Sequence, residues 1–214
     1  MKKSTKLSLL SAGIIVLFII LDQILKIWVK THMLLGEHIS VIGDWFYLYF
    51  IENEGMAFGL SFGQNLGKLL LTVFRIFIVG FLIYYLIKLI KKNKADAIVV
   101  TILSLIITGA VGNIIDSLFY GVIFNESTPL TLATLFPEGG GYAPVLYGRV
   151  VDMFYFPLFV IPDWFPIFSG EYFFPAIFNL ADSCVTVGII LALIFYKRIF
   201  VEEKVAEPTQ NQQK

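Results

Sequence analysis

The stretch "FNLADSCVTVGIILALIF", residues 178–195, begins with two polar side chains, Asn179 and Asp182, and then runs apolar to its end. Residues three apart lie on one face of a helix. The stretch therefore reads as a membrane helix that carries an amide and an acid together at its start. Such a placement needs a reason, because ionisable groups at membrane depth are expensive and mark functional sites by default.

The rest of the chain supplies the solvent. At 57% hydrophobic and 15% charged residues over 214 positions, with mean hydropathy +0.81, there is more apolar surface than one soluble domain can bury, and a bilayer is the implied medium. Four apolar blocks, 7–29, 66–90, 97–120 and 175–200, each approach or exceed the ~20 helical residues that cross a ~30 Å hydrocarbon core. The expected fold class is an all-α polytopic membrane protein with four transmembrane helices. A small extramembrane β element is added on one side, because "WFYLYFI" at 45–51 is aromatic and β-branched in the manner of strands. Pro157, Pro162 and Pro166 break the aromatic stretch after Asp152, so that stretch is expected to lie at the interface rather than to span. Residues 1–201 read as one membrane-embedded domain, and 202–214 as a polar, disordered tail.

Lysines and arginines orient the helices. Lys2, Lys3 and Lys6 precede the first block, Lys88, Lys91, Lys92 and Lys94 separate the second and third, and Lys197, Arg198 and Lys204 follow the fourth. By the positive-inside rule both termini are cytoplasmic and the two long connections are external. Zero net charge argues against a nucleic-acid partner. The single cysteine, Cys184, reads as a small buried thiol.

Depth then brings the polar residues together. At 1.5 Å per residue, Asp22 lies about 24 Å from Lys6, Asn113 about 25 Å from Asp96 and Asp182 about 22 Å from Lys197, each measured from a cytoplasmic end. One such residue reads as a helix-end group snorkelling to the interface or as a cap; several at one level read as a site. Asp22 and Lys26 are i,i+4 and form an ion pair. Asn113 and Asp116, like Asn179 and Asp182, are i,i+3, and each pairs an amide with a carboxylate. Gly112 permits close approach beside Asn113. No H-E-x-x-H, P-loop or G-x-G-x-x-G occurs, so metal hydrolysis and nucleotide chemistry are poorly supported and no metal or cofactor is expected. Paired aspartates in a desolvated site suit aspartyl hydrolysis, with one shared proton near neutrality. The residues by themselves do not choose among Asp22, Asp116, Asp152 and Asp182 as the reacting pair.

In order, "LDQILK" at 21–26, "NEGMAFG" at 53–59, "GNIID" at 112–116, "VVDMF" at 150–154 and "FNLAD" at 178–182 resemble the lipoprotein signal peptidases, the type II signal peptidases of bacterial membranes. The resemblance covers nearly the whole chain. It implies an intramembrane aspartyl endopeptidase that removes the signal peptide of a prolipoprotein just before a diacylglyceryl-modified cysteine. The implied enzyme is a monomer in the bacterial cytoplasmic membrane, in contact with membrane lipid, with its site toward the external face. Carried over by motif, Asp152 and Asp182 are the catalytic pair. Asp22, Lys26, Asn53, Gly55, Gly112, Asn113, Asp116 and Asn179 are supporting or substrate-binding residues.

Two departures stand out. The family commonly has arginine where this chain has Ser117, and Arg149 is the proposed substitute for that charge. The stretch between "GNIID" and "VVD" is also long and contains "FPEGGG", as an accessory loop or a tolerated insertion would. The competing class is a proton-coupled carrier or ion-conducting subunit, which also uses buried Asp, Asn and Lys. A carrier places its acids near the midplane, whereas these crowd toward one face.

Overall fold

The computed structural model describes residues 1–54, 64–164 and 170–199; Gly55 and the expected tail from 202 lie outside them. Helix α1 covers Lys3–His32, α2 Gln64–Lys91 and α3 Ala97–Ile115. Helix α3 runs on through a wide π turn, Asp116–Tyr120, into the short α4, Gly121–Ile123. Strands β1, His38–Ile42, and β2, Phe46–Asn53, precede α2, and β3, Val150–Tyr155, and β4, Ile177–Phe178, precede α5, Leu180–Ile194, and the terminal turn α6, Tyr196–Ile199.

Three helices, Lys3–His32, Leu66–Lys91 and Ala97–Ile123, are long and apolar enough to cross a membrane. The fourth apolar block is not one helix over 175–200. Its first residues pair with β3, Phe154 against Phe178 and Tyr155 against Ile177. Asn179 is extended and caps the helix that follows, which breaks at Phe195 after 15 residues. The all-α expectation is corrected in the same way. The β element is a four-stranded antiparallel sheet in the order β1-β2-β3-β4, and two of its strands come from the segment expected to be interfacial or helical. The cause is local: in β3 the β-branched and aromatic "VVDMFY" favours extended backbone, and its ladder groups find partners on both sides. Beyond β3 the chain forms a ribbon in which Val160 faces Tyr172, with Leu158, Phe159, Val160, Phe173 and Phe174 exposed.

Helix α3 is the centre of the bundle, buried on most of its circumference, with α1, α2 and α5 packed around it. Small residues set the closest approach. A Cβ at Gly109 would lie 2.1 Å from the Ala181 carbonyl oxygen, and one at Gly188 2.6 Å from the Ile106 side chain. Gly112 has the same role, since a Cβ there would sit 2.8 Å from Asp22 Oδ2 and 2.9 Å from Ala181 Cβ. This is the close approach that small residues allow between membrane helices. One apolar cluster, with Leu7, Leu86, Ile90, Val99, Leu103 and Ile107, fills the end near the N-terminus. Another, with Val29, Met33, Phe50, Tyr120, Phe124 and Met153, fills the end beneath the sheet. Along α1 and α3 the polar residues lie between the two.

Gly109→Val should cost about 1–3 kcal/mol through overpacking, because the clash is with backbone. The thermal unfolding temperature of the detergent-solubilised protein should fall by several degrees. Gly13→Val, with nothing within 4 Å of its would-be Cβ, should leave that temperature unchanged.

Candidate active site

The site is built outward from Lys26, whose side chain is 0% exposed. Its ammonium lies 3.0 Å from Asp22 Oδ2 and 2.8 Å from Asp116 Oδ2, and donates to Asn113 Oδ1 at 3.0 Å. The two acids reach further. Asp22 Oδ1 accepts from the backbone N–H of Ala181 at 2.9 Å, and Asp116 Oδ2 from that of Val151 at 3.3 Å. Gln23 donates to Asp116 Oδ1 at 3.0 Å and accepts from the Tyr120 hydroxyl at 3.1 Å. Asp116 opens the π turn, a widening often found at functional sites.

Asn113 carries the network to the second pair of acids. With its oxygen held by Lys26, its amide nitrogen donates to Asp182 Oδ1 at 2.8 Å. Asp182 Oδ2 accepts from the backbone N–H of Asn179 at 3.3 Å, while Asn179 Oδ1 accepts from the N–H of Asp182 at 2.9 Å. This reciprocal capping box explains why the amide and the acid stand three residues apart at the head of α5. The Asn179 side chain has a second use, since its Nδ2 donates to Asp152 Oδ1 at 2.6 Å. Asp152 Oδ2 accepts from Asn53 Nδ2 at 3.3 Å.

Each of the two carboxylates is thus held by two N–H donors. Asp152 is buried, 2% exposed, and Asp182 half-buried. Burial, reinforced by the charge of Asp182, pushes the Asp152 carboxyl up to about 7, against the hydrogen bond from Asn53. Close to neutral pH the pair is therefore poised to hold one proton. An acid that donates and a carboxylate that accepts, side by side, can polarise a carbonyl and deprotonate water together. Among the described residues no group of three or more His, Cys, Asp or Glu side chains is arranged to hold a metal ion.

The structure brings together Asp22, Lys26, Asn53, Gly112, Asn113, Asp116, Asp152, Asn179 and Asp182. It places Arg149 elsewhere, with its guanidinium against Glu52 at 3.3 Å, Glu54 at 3.5 Å and Glu126 at 3.1 Å. This outer cluster is anchored by Lys30, which pairs with Glu52 and donates to Ser127 Oγ at 2.7 Å. Lys30 is marked in the sequence only by continuing the i,i+4 spacing of Asp22 and Lys26. Gln23, Tyr120 and Arg75 also escaped the sequence reading; Arg75 stands in an apolar helix with no acid or amide three or four residues away. Ser117 is buried and donates to the carbonyl of Asn113.

Comparison with known proteins assigns the chain to a family. The family model described as Signal peptidase (SPase) II matches residues 14–198. A protein named lipoprotein signal peptidase from Porphyromonas gingivalis is 52% identical over 191 residues, 87% of this chain and 82% of that protein. One of the same name from Amoebophilus asiaticus is 38% identical over 201 residues, 90% of this chain and 79% of that protein. A solved bacterial membrane enzyme superposes with a TM-score of 0.56 at 27% identity, covering 91% of this chain and 92% of that one. With a family match over most of its length and close relatives along nearly all of it, the chain belongs to the signal peptidase II family.

Proposed function

We propose that this protein is an aspartyl endopeptidase of the bacterial cytoplasmic membrane, cutting the signal peptide from prolipoproteins just before the lipid-modified cysteine, with Asp152 and Asp182 as the reacting pair. Membership of the signal peptidase II family supports the substrate class. The observation that carries the mechanism is the pair of carboxylates, one buried and one half-buried, each held by two N–H donors, one of them titrating near 7.

The chemistry follows from that arrangement. Protonated Asp152 donates a hydrogen bond to the scissile carbonyl, and ionised Asp182, the more accessible of the two, takes a proton from the attacking water. The water oxygen bonds to the carbonyl carbon as Asp152 passes its proton to the carbonyl oxygen, and a tetrahedral diol forms. Its collapse returns a hydroxyl proton to Asp152 and breaks the C–N bond, and the proton held by Asp182 passes to the departing amine, which becomes the α-amino group of the lipidated cysteine. Asn113 and Asn179 hold the two acids in register; Lys26, itself held by Asp22 and Asp116, holds Asn113. A lipid-anchored substrate presents its peptide at the outer membrane surface. The lipid-exposed faces of α1 and α2, with Ile20, Ile24, Phe74 and Phe77 outward, leave the site reachable from within the bilayer.

In the proposed topology α5 and α6, residues 180–199, form a fourth crossing of about 30 Å, both termini are cytoplasmic and the sheet is external. In a Cys184→Ser background, Leu130→Cys, at a position 88% exposed, should react with an impermeant thiol reagent added outside intact cells. Lys92→Cys, also exposed, should react after lysis alone; labelling of both from one side would overturn the topology.

Incubated with a diacylglyceryl-modified precursor peptide, the wild type should release signal peptide. Asp152→Asn and Asp182→Asn should each remain folded and lose at least 1,000-fold in kcat, and the double variant should be little worse, because the two act as one unit. Full turnover in either folded single variant would rule out the pair. The kcat/KM profile should fall as pH rises through about 7, where the shared proton is lost, and fall again in acid as the second carboxyl is protonated.

The same group gives a stability signature. Asp152 has a raised folded-state pKa, so the native state binds more protons than the unfolded state between the usual aspartate range and about 7, and stability falls as pH rises through that window. The decline should be of the order of 2–4 kcal/mol between pH 4 and pH 8. In Asp152→Asn it should be largely absent, as thermal unfolding across pH will show.

A further inference from the structure

Helix α2 carries an unexplained cation. Its buried residues Lys68, Thr72, Val79, Leu86 and Ile90 recur at spacings of four and seven, which defines one inward stripe. Arg75 falls on that stripe, three residues past Thr72 and four before Val79, and is half-buried. Its neighbours Phe74, Ile76, Phe77 and Ile78 are exposed on the outer side. Sixteen residues, about 24 Å, separate Arg75 from Lys91 at the far end of α2, so it stands at the level that Asp22, Asn113 and Asp182 reach on their own helices.

The carboxylates that act on its guanidinium are, in decreasing order, Asp182, Asp152 and Asp116. Among the described residues the other cations near the acids are engaged: Lys26 between Asp22 and Asp116, Lys30 on Glu52, and Arg149 on Glu52, Glu54 and Glu126. Lys68, higher on α2, lines a separate cavity of about 460 Å³ with Glu54, Tyr142, Tyr147 and Arg149. Arg75, by contrast, makes no hydrogen bond or ion pair with any described residue. Buried side-chain nitrogens among the described residues all have partners, so its donors are accessible rather than sealed in protein. A guanidinium has five N–H donors and is permanently charged. Leaving it unpartnered at this depth is costly, unless something that arrives there supplies the acceptors.

We propose that Arg75 is a substrate-contacting residue of this site, donating paired hydrogen bonds to backbone carbonyl oxygens of the peptide beside the bond to be cut, while its charge favours the ionised form of the acids it faces. The inference rests on the peptidase reading and adds to it the group on the open side of the pair. An extended peptide between α2 and the acids has carbonyls that neither lipid nor the acids can satisfy, and a planar fork of donors matches them. The charge acts in a second way: a cation near a carboxylate favours its ionised form, so its removal raises the titration of Asp152 further.

The test compares wild type, Arg75→Lys and Arg75→Gln on a diacylglyceryl-modified precursor peptide, with kcat and KM measured across pH 5–9 and thermal unfolding in parallel. Arg75→Gln should raise KM at least tenfold and shift the alkaline limb of the kcat/KM profile, set by Asp152, upward. Arg75→Lys keeps the charge without the fork, so it should hold the limbs at the wild-type positions while KM stays raised. A lowered unfolding temperature with wild-type KM and limbs would overturn the inference and leave Arg75 a structural residue. If Arg75→Gln does not fold, a wild-type KM in Arg75→Lys overturns the proposed contact on its own. Failure of the wild type to cleave would bring down the peptidase reading and this inference with it; cleavage by the wild type alongside an unaltered Arg75→Gln brings down the inference only.

Discussion

A lysine ammonium with no exposure, held at membrane depth, has few stable arrangements. Desolvating it costs several kcal/mol, and the attraction of neighbouring carboxylates offsets this only when geometry is good and the remaining donors are satisfied. Lys26 meets both conditions through Asp22, Asp116 and Asn113. Its partners are then fixed in turn, Asp22 by the first turn of α5 through Ala181 N–H and Asp116 by β3 through Val151 N–H. One cation therefore sets the relative positions of α1, α3, α5 and β3, the elements that carry or support Asp152 and Asp182. Removing one partner from such a cluster costs about 3–5 kcal/mol, because a charge is left uncompensated. Close helix approach depends on the same cluster, since Gly112 must remain bare where Asp22 crosses α3.

The second layer of the site uses groups that the fold already needs. Asn179 starts α5 as its N-cap, and its side chain also holds Asp152; Asp182 completes the capping box and is at the same time one of the pair. Helix initiation and positioning of the acids are thus one set of hydrogen bonds, which leaves little room for the carboxylates to drift. Asp152 sits in a strand whose neighbours Val151 and Met153 are completely buried, so its carboxyl has lost most of its water. That desolvation is what raises its titration toward neutrality and makes it able to keep a proton where an exposed aspartate could not.

The outer end of the molecule is organised by a separate set of charges. Lys30, Glu52, Arg149 and Ser127 tie the end of α1, the end of β2 and the long connection after α4 into one cluster, over which Tyr142 lies against both cations at 5.1 and 5.2 Å. The connection is irregular yet anchored. Beside it the sheet carries stacked aromatic rings, Phe46 on Phe156 with centroids 4.6 Å apart and Phe178 on Phe156 at 5.8 Å.

Much of this was written in the sequence. The apolar runs marked the three long helices to within a few residues, because the length needed to cross a bilayer is fixed by its thickness. The i,i+3 and i,i+4 pairs at common depth marked Asp22, Lys26, Asn113, Asp116, Asn179 and Asp182 as neighbours, because helical rise and twist are constant. Tertiary structure decided what has no such ruler. Residues 177–178 became a strand rather than a first helical turn because β3 offered a ladder, and Asn179 became a cap because its amide could close on Asp182. Asp152 joined the pair only through sheet register, in which Ile51 faces Asp152 and Asn53 reaches its carboxylate across the strands. Arg149 looks in sequence like a cation for the site, but Glu52, Glu54 and Glu126 converge on it in space, while Arg75, with no acid or amide three or four residues away along its own helix, faces the acids because α2 packs that stripe inward. Sequence spacing reports contacts within an element; which charges meet between elements is settled only when the helices and the sheet are assembled.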